Sequence, residues 1–243
     1  MRKVIGIVSE GPTDYLVLKT VIDKITGEEN RYLPLQPEAD MLGRFGNGWK
    51  GVWRWCRETP SLDAVLDGIQ PKIDLIVIQM DGDVVRKEKE AHCLCQSTIC
   101  TDKGKVFPLY CEKAKTGCPV SMPCKDHKYE VAGMIAHGER NLRQALGEKE
   151  SRRVILTIPC DSTDSWIVSA YDNLENIEKI ENPWRNVIAR GKYYHGVRIR
   201  GDKKNTVAYA GFMDTLADRW EAVKEKCKSA ENFEQKLKDF LRS

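Results

Sequence analysis

The chain alternates between short apolar runs and longer stretches with apolar residues at helical spacing. Residues 3–8, KVIGIV, form a compact apolar run that predicts a buried strand. Ser9-Glu10-Gly11-Pro12-Thr13-Asp14 follows; Gly11 suits a tight turn and Pro12 the first turn of a helix. Tyr15, Leu16, Leu18, Val21, Ile22 and Ile25 then recur at helical spacing, and Gly27 stops the helix. A short strand is expected at 31–35. A glycine-rich loop then leads into a single helix from about 49 to 68. Residues 73–80 contain the clearest strand signal, LIVI, which ends in Asp81-Gly82-Asp83. Residues 84–130 have no periodicity. A helix returns at 131–147, a strand at 153–158, and Asp161-Ser162-Thr163-Asp164 opens another helix with Ser162 or Thr163 as its cap. Residues 207–225 and 230–241 read as amphipathic helices. Strand and helix in repeated alternation predict an α/β fold, a parallel sheet with helices on both faces.

Each of the three clearest strands ends in acid: Glu10 and Asp14, Asp81 and Asp83, Asp161 and Asp164. Active sites of such sheets lie outside the carboxyl ends of the strands. Taken singly, Asp14 and Asp161 read as helix caps, and Asp81 and Asp83 as turn formers. Three acidic strand ends on one sheet edge repel each other and require a cation. Hard oxygen ligands suit Mg²⁺ or Mn²⁺, which keep several waters and bind phosphate oxygens as well. Such ions activate water and stabilise the leaving oxygen in phosphodiester cleavage.

Glu10-Gly11-Pro12-Thr13-Asp14 after the first strand and Asp81-Gly82-Asp83 after a later one resemble the Toprim domain. The glutamate followed by Gly-x-Thr-Asp looks most like its nuclease branch, OLD-type nucleases and the small Toprim-like proteins that accompany ABC-type ATPases in bacterial anti-phage defence. IPCDSTDSWIVSAYD (158–172) is similar to a further acidic motif of that branch, with Trp166 in the expected place. The family usually has glutamate where Asp161 or Asp164 stands; Asp164, two residues before the tryptophan, is the better match. The resemblance implies a Rossmann-like Toprim sheet and Mg²⁺- or Mn²⁺-dependent cleavage of DNA or RNA. Glu10 would be a metal ligand or general acid/base, and Asp81, Asp83 and Asp164 metal ligands. Asp14 would be a supporting acid at the metal. Basic residues late in the chain would hold the scissile phosphate, with Lys203 and Lys204 the candidates and Lys192 a weaker one.

Six of the nine cysteines fall between 93 and 124. In a reducing compartment that density reads as metal binding before disulfides. Cys93, Cys95, Cys100, Cys111, Cys118, Cys124 and His127, with His92 at the front edge, are enough for one or two tetrahedral zinc sites. The spacings are not those of a standard finger, and the ligands cannot be paired. Few large apolar residues lie here, so metal would hold the segment together as a structural site. It inserts immediately after Asp83. The expected organisation is a core in two parts, 1–84 and 131–182, a zinc-binding insertion at 85–130, and a basic segment with C-terminal helices at 183–243.

The net charge of +3 says little, but its distribution does. Residues 42–57 hold Arg44, Lys50, Arg54 and Arg57 with no acid, among Phe45, Trp49, Trp53 and Trp55. Residues 183–204 hold Arg185, Arg190, Lys192, Arg198, Arg200, Lys203 and Lys204 against Asp202 alone. Cations neutralise phosphates and rings stack on unpaired bases, so Arg44, Lys50, Arg54, Lys192, Arg198, Arg200, Lys203 and Lys204 are the nucleic-acid candidates. The tryptophans read equally well as core residues, and His137 and His195 as ordinary ones. No apolar run approaches ~20 residues, so no membrane span is expected. The N-terminus runs straight into a strand without a cleavage site, and the chain is read as cytoplasmic. No Walker A pattern is present, so ATP use would come from a partner ATPase. Two other readings remain: a non-catalytic Toprim module that binds nucleic acid or a partner, and an RNA-processing Toprim ribonuclease. Phe212, Leu216, Trp220 and Val223 form an apolar face for the core or for a second copy of the chain.

Overall fold

The computed structural model describes residues 2–37, 48–86, 91–92, 106–107, 131–147, 149, 151–201 and 204–242. The chain opens with β1 (Val4–Val8), α1 (Pro12–Thr26) and β2 (Arg31–Gln36). α2 (Gly48–Glu58), α3 (Leu62–Gly68), β3 (Leu75–Gln79) and α4 (Asp83–Arg86) follow. A two-stranded antiparallel ladder pairs β4 (Ala91–His92) with β5 (Val106–Phe107). α5 (Val131–Leu146), β6 (Val154–Thr157), α6 (Thr163–Tyr171) and α7 (Trp184–Ile188) come next. The hairpin strands β7 (Tyr193–Tyr194) and β8 (Val197–Arg198) precede the helices α8 (Thr206–Ala210), α9 (Met213–Asp218), α10 (Trp220–Lys226) and α11 (Lys228–Arg242).

The central sheet has the order β2-β1-β3-β6, every pair parallel. Side chains alternate across it, which accounts for its strongly apolar strands. Ile5, Ile7, Leu75, Val77 and Ile155 face a core built with α1, α6 and the C-terminal helices. Val8, Ile76, Ile78 and Leu156 face a second core with α2, α3 and α5. The molecule is therefore an α/β sheet covered by helices on both faces, as the alternating pattern predicts. β6 is an edge strand, and α11 guards it: Lys236 Nζ donates to Leu156 O at 2.9 Å and pairs with Glu139. Such cover keeps an edge from pairing with another chain.

Two expected helices are broken. The helix expected over 49–68 is α2 and α3, separated at Pro60, which cannot donate a helical hydrogen bond; Ser61 caps α3 by accepting from Ala64 N–H at 3.3 Å. The helix expected over 207–225 is α8, α9 and α10. Gly211 ends α8 where the backbone meets β8, and a Cβ there would lie 2.9 Å from Val197 Cγ1. Phe212, Leu216, Trp220 and Val223 are buried within the first core. Among the described residues, no helix is long and apolar enough to cross a membrane.

Candidate active site

Three parallel strands deliver acids to one edge. β1 leads to Glu10 and Asp14, β3 to Asp81 and Asp83, and β6 to Asp161 and Asp164. From β1 the chain passes outward to β2 on one side, then returns to β3 on the other. Connections that diverge in this way leave a crevice at the strands' carboxyl ends. Glu10 and Asp81 meet across it, where Asp81 N–H donates to Glu10 Oε1 at 2.8 Å. Gln79, fully buried at the end of β3, ties both sides. Its Nε2 donates to Asp81 Oδ1 at 2.7 Å, and its Oε1 accepts from Glu10 N–H at 3.1 Å. α2 begins beside this pair, with Gly48 N–H donating to Glu10 O at 2.9 Å.

The β3 and β6 loops stay joined past the strands. Gly82 N–H donates to Pro159 O, and Asp83 N–H to Asp161 O, both at 2.8 Å. A Cβ on residue 82 would stand 2.9 Å from Pro159 O, closer than backbone tolerates, so this position demands glycine. The Cys160–Asp161 peptide is cis. The Asp161 carboxylate accepts from Asn182 N–H at 3.1 Å.

α6 supplies the third side. Thr163 Oγ1 donates to Asp14 Oδ1 at 2.6 Å, joining the first turns of α1 and α6. Asp164 is 1% exposed. Its Oδ2 accepts from Ser162 Oγ at 3.0 Å and pairs with Lys204 Nζ at 2.5 Å, and its Oδ1 accepts from the Tyr209 hydroxyl. Asp164 is thus committed to protein donors on both oxygens.

No family model matches this chain, and no curated protein or solved structure does.

The electrostatics follow from crowding. Burial pushes the Asp14 carboxyl up to about 6; Thr163 and Lys204 pull it down, and Asp164 adds to the rise. Asp81 is held well above the usual carboxylate range, by burial first and then by Asp14 and Glu10. Burial works against the Lys204 ammonium, but Asp164, Asp81 and Asp14 outweigh it and raise its pKa. The Tyr209 hydroxyl is raised by burial and by Asp164, so it stays a donor.

Of the expected residues, Glu10, Asp14, Asp81, Asp83, Asp164 and Lys204 interact as one electrostatic group. Lys50 and Arg54 are half-buried on α2, where Trp53 and Trp55 pack in the second core. Lys192, Arg198 and Arg200 are exposed on and beside the β7–β8 hairpin. Arg44, Lys203 and the zinc candidates Cys93, Cys95, Cys100, Cys111, Cys118, Cys124 and His127 lie outside the described residues. His92 is described as backbone of β4. Thr163, expected only as a possible helix cap, instead bonds Asp14, and Gln79 and Tyr209 join the site without having been expected there. Gln79 was legible as a polar residue ending an otherwise apolar strand; Tyr209 had no local signal.

The donors fit a hard divalent cation in kind: all are oxygens, and among the described residues Asp14 and Asp81 share Lys204 with Asp164. Among the described residues, no three acidic, histidine or cysteine side chains converge as a closed ligand set. An ion of the Mg²⁺ type keeps several waters and is served by one or two carboxylates.

Proposed function

We propose that the chain is a Mg²⁺- or Mn²⁺-dependent nuclease with a Toprim core, cleaving phosphodiesters of DNA or RNA. In the same reading it is the effector of an anti-phage system that works with an ABC-type ATPase, and residues 85–130 form a zinc-stabilised insertion. The observation that carries the reading is the direct bond from Asp81 N–H to Glu10 Oε1 across the crevice. It draws two acidic strand ends together at a place where repulsion alone would separate them.

Glu10, Asp81 and Asp83 would hold the metal, with Asp14 behind them. When bound, the metal supplies activation of water and stabilisation of the leaving oxygen. Gln79 holds Glu10 and Asp81 in register. Glu10 stands at the mouth of the crevice, half-buried, in a position to take or return a proton. Asp164, itself fixed by Ser162 and Tyr209, holds Lys204, whose ammonium is the protein's own counter-charge for a scissile phosphate. Asp164 is thereby assigned to the lysine and not to the metal.

The test is a cleavage assay on DNA and RNA with Mg²⁺ and with Mn²⁺. Glu10→Gln and Asp81→Asn should each lower the rate at least about a hundredfold. Activity that survives both substitutions would falsify the assignment. Metal analysis of the purified chain tests the insertion, with at least one zinc per chain expected. The second reading, a Toprim module that binds without cleaving, draws on Lys204, which already offsets part of the acidic charge. It predicts nucleic-acid binding by wild type with no turnover in either metal, with or without the ATPase.

A further inference from the structure

The β7–β8 hairpin has a built shape that the acidic site does not explain. Its turn, His195-Gly196, places both residues in the left-handed region, with φ of 45° and 87°, as a two-residue type I′ turn requires. One side of the hairpin is fixed to the body. Tyr194 is fully buried, and its hydroxyl donates to Asp172 Oδ2 at 2.9 Å. His195 Nε2 bonds Asp172 Oδ1 at 2.8 Å, and its ring stacks on Tyr171 with centroids 5.1 Å apart. Buried Ile199 donates its N–H to Lys192 O at 2.8 Å.

The opposite side faces out. Tyr193 pairs across the ladder with Arg198, so their side chains share a face, and Arg200 follows two residues on. Tyr193 is 57% exposed, and both arginines are exposed. Residues 183–201 contain five cations and no acid. An aromatic ring on a hairpin strand opposite Arg198 offers a stacking surface, and the arginines offer charge for a phosphate backbone.

The position relative to the acids is bounded by the chain. Six residue steps lead from Arg198 to Lys204 at Asp164, which limits the span to about 20 Å. α6 gives a second measure: Asp164 lies in its first turn and Asp172, which anchors the hairpin, caps its end, eight residue steps or about 12 Å away. A stacked single strand covers that distance in about four nucleotides at ~3.4 Å each.

We infer that the outward face of the β7–β8 hairpin, Tyr193 with Arg198 and Arg200, binds unpaired bases of single-stranded nucleic acid entering the acidic crevice. The inference rests on the nuclease reading for its substrate and adds that the substrate is single-stranded next to the cut. A base stacks on Tyr193 while Arg198 and Arg200 contact the flanking phosphates. A duplex presents no free base face to the ring.

The test uses the full chain and fluorescein-labelled DNA and RNA oligonucleotides of about 15 nucleotides, single-stranded and duplex, without divalent metal. Tyr193→Ala should weaken single-strand binding about tenfold and duplex binding less than twofold, and Tyr193→Phe should restore it. Arg198→Ala and Arg200→Ala should each weaken both and lower the salt slope by about 0.7 on the single strand. The DNA and RNA arms report which strand is preferred. Single-strand affinity unchanged in Tyr193→Ala, or equal losses on duplex and single strand, would overturn the inference. Cleavage by wild type with Tyr193→Ala unchanged in binding removes the inference and leaves the nuclease reading standing. Tyr193-dependent binding without cleavage by wild type does the reverse.

Discussion

Two groups of buried acids are neutralised in opposite ways. Glu234 on α11 accepts from Lys224 Nζ at 2.6 Å, Lys238 Nζ at 2.5 Å and Trp220 Nε1 at 2.5 Å. Burial alone would raise its carboxyl, but these donors outweigh it and hold it below the usual range. At the sheet edge, one ammonium, Lys204, is shared by Asp164, Asp81 and Asp14, and Asp14 and Asp81 are raised. Two lysines for one carboxylate make a fastening. Among the described residues, one lysine for three carboxylates leaves negative charge that the fold tolerates at a cost, and such unbalanced groups collect where chemistry is done.

The contrast can be broken most sharply at Lys204. Lys204→Met should destabilise the chain by about 2 kcal/mol at pH 7.5, a figure below that for a fully buried pair because the side chain is 37% exposed. Lowering the pH to about 5 should recover part of the loss, as Asp14 takes up a proton. Equal urea midpoints for variant and wild type at pH 7.5 would show that the acids do not depend on this lysine.

Asp14→Asn comes next and acts in the opposite direction. The Asp14 carboxyl is raised on folding, from 3.8 to about 6. Its contribution is fully present below about pH 4 and lost as pH rises through 6. The variant should therefore be more stable than wild type at pH 7.5, by on the order of 1–3 kcal/mol, with the gap closing by pH 4. Urea titrations at several pH values measure it, and a gap that is flat with pH would remove the electrostatic account.

Glu234→Gln is the smallest effect and has the other sign. A carboxyl depressed on folding stabilises above its unfolded value of 4.5, and that stability is lost as pH falls through the depressed value. The variant should lose about 1 kcal/mol at pH 7, with the difference shrinking below about pH 4. A loss that persists undiminished at pH 3 would point to packing around Trp220 instead.

How far each cluster was legible in the sequence differs for a physical reason. Glu10, Asp81 and the acids of α6 sit at strand ends, and strands are marked by local apolar runs, so their convergence follows from topology. Pro60 and Gly211 stand at the two breaks, yet the apolar spacing on either side of each suggests one helix; that a Cβ on residue 211 would meet Val197 is a long-range fact no local pattern records. Tyr209 reaches Asp164 across 45 residues. Nothing beside Tyr209 distinguishes it from a core tyrosine, and it is also packed on Trp184. The exposed Tyr193 and buried Tyr194 are adjacent and identical in type; their opposite roles come from strand alternation over Asp172.

Lys204 also has a consequence for how the chain is made. Synthesis runs from the N-terminus, so Glu10, Asp14, Asp81 and Asp164 leave the ribosome before the lysine that offsets them, and β6 emerges before Lys236 covers its edge. A nascent chain that stalls before residue 204 holds a self-repelling sheet edge and an open strand. The acidic crevice therefore gains its lysine only after residue 204 has been made, and a chain cut short before it keeps the carboxylates without that counter-charge.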